Sequence, residues 1–350
     1  MFDLHIVGAG PSGCIAAIAA LREGKKVLIS EEHSSAGGKP CTGLFSLSGL
    51  KTLKKYVNWQ ESVENEVYGA DIYFGNECIT VAKKTPIAVV CNRQKFDRIL
   101  ASMAEDEGAK LKYKDRVVGS YEASTIIGAD GAFSSTADFF KFPKISRFVG
   151  TMQGEVRANW DEQKVKVFFS SSFPGFLGWV VPRGQRLFEI GCGVRLPFNV
   201  NNSFQLLERK LDVKALNKKA YVIPLDVRKS TAKKINRYDV RLVGDAAGQV
   251  KPTTGGGVLF GCWCAEIAAT AKSSFDYELK WRFKYQKQLF LHNFIRSFLN
   301  KKTDAEMELK IKILKKNNIE EFLSKYGDME FLGNLFKHAL VRPSFWIALF

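Results

Sequence analysis

The chain begins with an apolar strand pattern that leads directly into three closely spaced glycines and then into an alanine-rich helix pattern. From residue 3 this stretch is DLHIVGAGPSGCIAAIAALREG. Gly8 allows a tight turn, Gly10 lets the backbone approach a pyrophosphate, and Gly13 lets the helix pack closely against the strand. The amino terminus of that helix favours negative charge, because its free N–H groups point towards a ligand. The spacing therefore predicts a dinucleotide-binding turn.

A second strand is predicted from Lys26 to Ser30, and it ends in two carboxylates, Glu31 and Glu32. An acidic residue about 20 positions after the glycines binds ribose hydroxyls in such turns. We favour Glu31 for this contact, and Glu32 remains the alternative. The glycines and the acid do not distinguish FAD from NAD.

Two later segments make that distinction. The first, STIIGADGAFS at 124–134, brings Asp130 and Gly131 into a turn after a strand, although it also fits an ordinary hairpin. The second, VRLVGDAAGQVKPTTGGGVLFG at 240–261, places Asp245 to bind a ribityl hydroxyl and three glycines before an apolar helix. The amides of those glycines, with the helix dipole, fit negative charge on a reduced flavin, for which a nicotinamide enzyme has no use. The pattern predicts FAD.

A cysteine follows the acidic pair closely. Cys41 lies in KPCTG at 39–43, and the neighbouring Lys39 would raise its thiolate content. A thiol beside a flavin can donate a proton or tune the ring. The alternative is a small buried apolar side chain, which is also the interpretation of Cys14 on the first helix.

Together these segments resemble the FAD-dependent family of p-hydroxybenzoate hydroxylase type and, within it, the geranylgeranyl reductases of archaeal lipid synthesis. KPCTG is similar to the cysteine motif of those reductases. PGFLGWVVP at 174–182 is similar to their substrate-side signature of Pro, two residues, Tyr, one residue, Trp, one residue, Phe, Pro. Leu177 and Val181 replace its Tyr and Phe. The resemblance covers roughly residues 1–271.

The resemblance implies an FAD-dependent reductase that saturates isoprenoid double bonds of geranylgeranyl chains in membrane lipid synthesis, by hydride from reduced flavin and a coupled proton. It assigns a catalytic role to Cys41, and it places Arg93 near the FAD pyrophosphate, although Arg93 also fits a surface position at a helix start. The predicted cofactor-binding residues are Gly8, Gly10, Gly13, Glu31, Glu32, Arg93, Asp130, Gly131, Asp245, Gly255, Gly256 and Gly257. The predicted substrate-binding residues are Pro174, Phe176, Leu177, Trp179 and Pro182.

The predicted fold class is α/β (α+β), with a Rossmann-like FAD-binding domain, an inserted antiparallel-sheet substrate domain and a helical C-terminal tail. We assign residues 1–45, 93–142 and 236–272 to the FAD-binding domain. Residues 46–92 and 143–235 are assigned to the substrate domain, because runs such as KVKVFFSS and LFEIGCGVRL alternate as antiparallel strands do. Residues 273–350 form the predicted helical region.

Composition supports a folded protein in a reducing compartment. The apolar content of 46% suits a globular chain of 350 residues, and the seven cysteines are scattered and odd in number. Cys262 and Cys264 lack a second pair that would form a zinc site, so no metal is expected, and we interpret them as helix packing. The first strand begins at once without a signal peptide, which predicts a cytoplasmic location.

The net charge of +16 indicates an anionic partner. Residues 277–302 combine Phe290, Phe294 and Phe298 with interleaved basic residues, a pattern that suits the cytoplasmic face of a membrane. A core-facing helix with a solvated basic face is the alternative. No nucleic-acid-binding motif is present, so nucleic acid is not an expected partner.

Other functions remain open at this point. A flavin-dependent monooxygenase or halogenase would share the three FAD motifs, and a prenyl-binding protein without catalysis would share the fold alone. The expected substrate is a geranylgeranyl lipid or diphosphate. No separate nicotinamide domain is visible, so the electron donor is NADPH, ferredoxin or another carrier.

Overall fold

The structure is a computed structural model that describes residues 1–340. The strands are β1 (Leu4–Val7), β2 (Val27–Glu31), β3 (Leu44–Ser46), β4 (Val63–Val67), β5 (Gly69–Phe74), β6 (Glu77–Ala82), β7 (Ala88–Cys91), β8 (Lys110–Tyr113), β9 (Thr125–Gly128), β10 (Phe148–Arg157), β11 (Lys164–Phe169), β12 (Gly178–Gly184), β13 (Leu187–Arg195), β14 (Leu216–Pro224), β15 (Ala232–Ile235) and β16 (Tyr238–Leu242).

The α-helices are α1 (Pro11–Arg22), α2 (Leu47–Thr52), α3 (Arg93–Asp106), α4 (Ser135–Phe139), α5 (Val200–Leu211), α6 (Val258–Thr270), α7 (Ser274–Trp281), α8 (Lys287–Leu299), α9 (Asp304–Lys316), α10 (Ile319–Tyr326) and α11 (Leu332–Leu340). Short 3₁₀ turns occupy Trp59–Ser62 and Gly244–Ala246, and a π-helical turn, Arg282–Gln286, joins α7 to α8.

The nucleotide-binding turn belongs to a six-stranded sheet in the order β15, β16, β9, β1, β2, β8. Four of its strand pairs are parallel, and β15 pairs with β16 in the antiparallel sense. Helices α1 and α6 pack together against this sheet in the largest apolar core of the described residues. The motifs after β1, β2, β9 and β16 therefore meet at the carboxyl edge of one sheet, as the sequence predicts.

The second sheet has seven strands in the order β14, β10, β13, β12, β11, β5, β6. Both alternating sequence runs form strands in it, as β11 and β13. Its pairs are antiparallel except β5 with β11, which are parallel, so the predicted antiparallel sheet contains one parallel pair. A third, three-stranded sheet, β3, β7, β4, lies within residues 44–91, which the sequence assigns to the substrate domain apart from Leu44 and Phe45. The domain boundaries themselves remain a prediction.

The C-terminal helices pack on the outer strands of the second sheet. Met307, Ile311 and Phe322 share a buried cluster with Phe74 and Ile79 of β5 and β6. No helix in residues 1–340 combines the length and the apolar character that crossing a bilayer requires.

A completely buried hydroxyl is among the groups that bind helix α7 to the six-stranded sheet. Tyr277 Oη donates to the Leu242 carbonyl at 2.6 Å and accepts from Gln249 Nε2 at 2.9 Å. The Gln249 side chain in turn accepts from the amide of Gly244, where the Asp245 turn begins.

We predict that Tyr277→Phe lowers the free energy of unfolding by about 1–3 kcal/mol, because it leaves a buried carbonyl and a buried amide without a partner. Thermal denaturation followed by circular dichroism measures this change. Tyr68→Phe is the matched control, since Tyr68 Oη donates only to the exposed Glu66. Equal melting temperatures for the two variants would contradict the prediction.

Candidate functional site

The glycine turn after β1 is built as the sequence predicts. Gly8 has φ of 103°, and a Cβ there would lie 2.6 Å from the Ala129 carbonyl oxygen. A Cβ on Gly13 would lie 1.9 Å from the Gly8 oxygen, so helix and strand approach as closely as backbone allows. Gly10 lines a large cavity, and a Cβ on it would meet no neighbouring atom within 4 Å. The turn therefore leaves free backbone for a pyrophosphate.

The two acidic candidates at the end of β2 differ in environment. Glu31 is buried, and its Oε2 accepts from the Ala9 amide at 2.8 Å, which fixes the carboxylate beside the glycine turn. Glu32 is exposed and lies 3.8 Å from the guanidinium of Arg116. Both line the cavity. The fixed position of Glu31 supports its assignment to the ribose, which remains a prediction.

Asp130 is engaged within its own turn. Its carboxylate accepts from the Ser134 hydroxyl at 2.6 Å and from the Thr136 amide at 2.9 Å, at the start of α4. Gly131, with φ of 80°, lines the cavity, and a Cβ there would lie 2.4 Å from Lys39 Nζ. The carboxylate thus shapes the turn, and backbone is what this segment presents to a cofactor.

The third segment places a carboxylate and a helix terminus on the wall of the same cavity. Asp245, Gly255, Gly256 and Gly257 all line it. Gly257 begins α6 without a side-chain cap, so the first amides of this 13-residue helix are not satisfied by a cap. A Cβ on Gly257 would lie 3.0 Å from Asp245 Oδ1, which explains a glycine here. This arrangement fits the pyrimidine end of a flavin, because helix amino termini favour negative charge.

Cys41 has a neighbour that the sequence does not suggest. Its partly buried side chain lies close enough to the guanidinium of Arg93 to interact with it electrostatically. Lys39, by contrast, lies 5.2 Å from the centre of the Tyr221 ring. Arg93 is therefore a further cation beside the thiol, and the influence of Lys39 on Cys41 stays a prediction.

Arg93 lies at the start of α3, yet it is buried and makes two hydrogen bonds of 3.0 Å to the carboxylate of Asp97. Burial alone would lower its pKa, but Asp97 and Cys41 more than offset this, and the pKa of Arg93 lies above its usual value. It lines the cavity with Cys41. The exposed helix-start alternative for Arg93 is wrong, whereas a contact with FAD remains a prediction.

The signature at 174–182 contributes to the wall only in part. Phe176, Leu177 and Trp179 line the cavity, while Pro174 and Pro182 do not lie among its lining residues. The Trp179 ring lies opposite Gly191 of β13, where a Cβ would come within 2.3 Å of the indole. The two prolines bound the wall rather than form its surface, and all five substrate roles remain predictions.

The cavity has a volume of about 1280 Å³ and takes its lining from all three sheets and from the C-terminal helices. Binding pockets for drug-sized ligands have volumes of about 300–1,000 Å³, so this one has room for a dinucleotide and a second ligand. One part carries the glycines and carboxylates described above. The other part is apolar and includes Ile72, Val81, Val167, Leu323, Leu332 and Leu335.

Sequence reasoning missed a buried ion pair on the cavity wall. Lys251 Nζ lies 2.7 Å from Glu330 Oε2, and the two side chains are only 4% and 3% exposed. The Ser46 hydroxyl donates to the other Glu330 oxygen at 3.1 Å. This pair joins the loop before the triple glycine to the segment before α11. Because the partners lie far apart in the chain, no local pattern could have revealed the pair.

Arg296 was also misplaced by the sequence pattern, which assigned it to the basic face of an amphipathic helix. It is 1% exposed, and it donates to the carbonyls of Pro252 at 3.0 Å, Phe176 at 2.9 Å, and Thr253. Burial lowers its pKa to about 10, which keeps it protonated at neutral pH. Burial also lowers the pKa of the adjacent His292 to about 3, so this imidazole is neutral.

Comparison with known proteins supports FAD as the cofactor. Residues 3–133 match the family described as FAD dependent oxidoreductase. The digeranylgeranylglycerophospholipid reductase of Methanocaldococcus jannaschii is 25% identical over 88% of this chain and 89% of its own length. The resemblance to the reductases is thereby confirmed.

Solved structures show the same fold. A geranylgeranyl bacteriochlorophyll reductase-like protein from Thermoplasma acidophilum superimposes with a TM-score of 0.79 at 21% identity, covering 99% of this chain and 98% of the other. The flavin-dependent halogenase CmlS gives a TM-score of 0.66 at 15% identity, covering 99% of this chain and 77% of its own.

The two acidic candidates can be separated by one measurement. We predict that Glu31→Gln weakens FAD affinity by about 10- to 100-fold, because hydrogen bonds to charged groups contribute about 1.5–3 kcal/mol. Glu32→Gln is the control and should bind FAD as the unaltered protein does. Titration of each apoprotein with FAD, followed by flavin fluorescence, gives the affinities. The reverse order would assign the ribose contact to Glu32.

The glycine turn, the uncapped amino terminus of α6 and the family match agree on the cofactor, and the residues present fit FAD. The chain is an FAD-dependent oxidoreductase related to the digeranylgeranylglycerophospholipid reductases.

Proposed function

We propose that this protein saturates the isoprenoid double bonds of geranylgeranyl chains during membrane lipid synthesis. The observation that carries the proposal is the apolar part of the cavity, which is continuous with the cofactor part. An extended hydrocarbon chain is recognised by shape and by burial of apolar surface rather than by hydrogen bonds. The inner faces of β5, β6 and β11, with α10 and α11, supply such a surface.

The names of the relatives support the same substrate class. Several of them are digeranylgeranylglycerophospholipid reductases, at 25–28% identity. We extend this class to the present chain, with a geranylgeranyl lipid or a geranylgeranyl diphosphate as substrate. A lipid substrate places the protein at the cytoplasmic membrane face, in peripheral contact.

Reduction of an isolated double bond requires that a hydride and a proton both reach it. FAD, when bound and reduced, supplies hydride to one carbon, and a proton must reach the other carbon in the same event. The chain's part is to exclude water, to hold the alkene and to supply the proton. The faces of Trp179 and Phe176 in the wall ease positive charge on the more substituted carbon by about 0.5–2 kcal/mol per contact.

Cys41 is our candidate for the group that serves the proton transfer. It lines the cavity, and its side chain interacts with Arg93, a buried cation. The thiol would give its proton to the alkene carbon as the hydride arrives, and solvent would then reprotonate it. Cys91, Cys262 and Cys264 are buried and do not line the cavity.

We predict that Cys41→Ser retains FAD but slows double-bond reduction by about 100-fold or more, since a positioned acid contributes 10²–10⁴-fold to a rate. Single-turnover oxidation of the reduced enzyme by substrate measures the step. The control is Cys78→Ser, because Cys78 is partly exposed on β6 and does not line the cavity. Unchanged turnover of the Cys41 variant would remove its catalytic role.

The experiment that tests the function is mass spectrometry of a geranylgeranyl glycerol-ether phospholipid after anaerobic incubation with the FAD-loaded, dithionite-reduced protein. Dithionite replaces the natural electron donor, whether NADPH, ferredoxin or another carrier. We expect the lipid to gain one or more units of H₂. A lipid that binds but gains no hydrogen, while the flavin is fully reduced, would overturn the proposal.

A monooxygenase or halogenase is the second candidate, because CmlS shares the fold. Such an enzyme needs oxygen and, for halogenation, a halide. If the reduced protein leaves the prenyl lipid unchanged but oxygenates or halogenates a compact aromatic compound in air, this candidate replaces the reductase.

A further inference from the structure

One side of the segment 274–299 presents a row of large apolar side chains to the outside. Its members are Phe275, Leu279, Phe283, Phe290 and Phe294, with exposures of 77%, 60%, 92%, 65% and 47%. We call these five residues the aromatic row. Contiguous apolar surface on this scale is uncommon on a folded protein and marks an interaction site.

The aromatic row is separate from the side of the segment that packs on the core. The opposite side of the same segment is already buried, through Tyr277, Trp281, Tyr285 and Leu289. The segment is therefore apolar on two sides, and only one of them is used by the fold. The sequence alternative of a core-facing helix with a solvated basic face is correct for the buried side alone.

The π-helical turn Arg282–Gln286 keeps these sides in place. Residues four apart drift by about 40° per step around an α-helix, because each residue turns the chain by about 100°. The buried side uses four-residue spacing from Tyr277 to Leu289, and the row uses it from Phe275 to Phe283. The π turn in the middle of the segment has more residues per turn than an α-helix, so it rotates the following residues back and cancels the accumulated angle. Both sides then stay straight over about seven turns.

Basic residues adjoin the aromatic row. Lys280, Lys284 and Lys287 are exposed on the same segment, and the whole chain carries a net charge of +16. Of the three, Lys280 pairs with Asp276 at 2.7 Å. Aromatic side chains beside lysines suit an anionic lipid surface, where the rings enter the interface and the ammonium groups stay among the headgroups.

Contacts between side chains connect one rim of the cavity with the helix that carries the row. Phe133 is 72% exposed and also lines the cavity, so it stands at the rim. It stacks on Phe148 with ring centres 5.8 Å apart. The neighbouring Arg147 donates to the Asn293 side chain of α8 at 3.0 Å. A chain of contacts therefore links the cavity rim with the helix that carries the row.

We propose that the aromatic row docks this protein on the surface of an anionic lipid bilayer, with the cavity rim at Phe133 turned towards that surface. The inference rests on the proposed function, since a lipid-modifying enzyme must meet its substrate in a membrane. The occupant is a bilayer rather than a protein, because the row is flanked by lysines and is built of side chains that enter the interface separately.

The test is co-sedimentation of the full-length protein with vesicles of phosphatidylcholine, and with vesicles that also contain about a quarter of phosphatidylglycerol. We expect stronger binding to the anionic vesicles, weakened by added salt. The double variant Phe283→Ser, Phe290→Ser should partition about 100-fold less, at about tenfold for each phenylalanine.

Leu216→Ser with Leu309→Ser is the matched control, because these exposed leucines lie on β14 and α9, away from the row. It should bind vesicles as the unaltered protein does. Equal thermal melting of both double variants shows that they fold. Phe283→Trp adds a local readout when the emission of the six native tryptophans, recorded on the unaltered protein, is subtracted. The difference emission should shift to the blue on anionic vesicles, while that of Leu216→Trp should not.

Three results would overturn the inference. One is vesicle binding that the Phe283 and Phe290 substitutions leave unchanged, and another is an unshifted Phe283→Trp emission on vesicles. The third is self-association in analytical ultracentrifugation that the double variant abolishes and vesicles do not compete with, which would assign the row to a second copy of the chain.

The proposed docking surface and the proposed reaction can be tested independently of each other. Sedimentation requires no turnover, so binding by a protein that reduces no prenyl chain would preserve the docking surface and overturn the function. If the protein reduces soluble geranylgeranyl diphosphate but does not bind vesicles, the proposed function stands and the docking surface is overturned.

Discussion

A single buried guanidinium connects the cofactor loop, the substrate wall and the C-terminal helices. Arg296 comes from α8, and its three backbone acceptors belong to Pro252, Thr253 and Phe176. Its guanidinium also lies 5.0 Å from the centre of the Phe176 ring. Arginine presents five donors in a planar fork, which a lysine could not supply. The distance between the triple-glycine loop and the wall at Phe176 is therefore set by the position of α8.

The same organisation explains which features the sequence could predict. The glycine turn, the strands around it and the triple glycine can be recognised in short stretches of sequence. The conformation of each depends on residues that are neighbours in the chain. The sequence thereby predicted the fold class and the cofactor, and the relatives confirm both. The position of Glu31 beside the glycine turn was also predictable, because the second strand lies next to the first and both end at the same edge of the sheet.

Side chains that depend on distant partners were less predictable. Arg296 and Lys251 look like ordinary surface cations in sequence, because nothing near them shows that they will be buried. Arg93, from a segment much later in the chain than Cys41, interacts with its thiol, and no pattern near Cys41 indicates this. Phe283 and Phe290 have the spacing of core residues, and only the folded chain shows which side of the segment the core uses. Periodicity detects an apolar side and does not tell what covers it.

The pair of Lys251 and Glu330 has a consequence for biosynthesis. The residues predicted to bind FAD end at residue 257, but the cavity wall also needs Glu330, Leu332 and Leu335, which are synthesised later. Until they leave the exit tunnel, the loop lysine has no counterion and the inner face of the second sheet is open to water. The nascent chain thus passes through a stage with an exposed apolar sheet and an uncovered cofactor cleft. A product truncated before Glu330 would remain at that stage, and its exposed apolar surface would make it prone to aggregation.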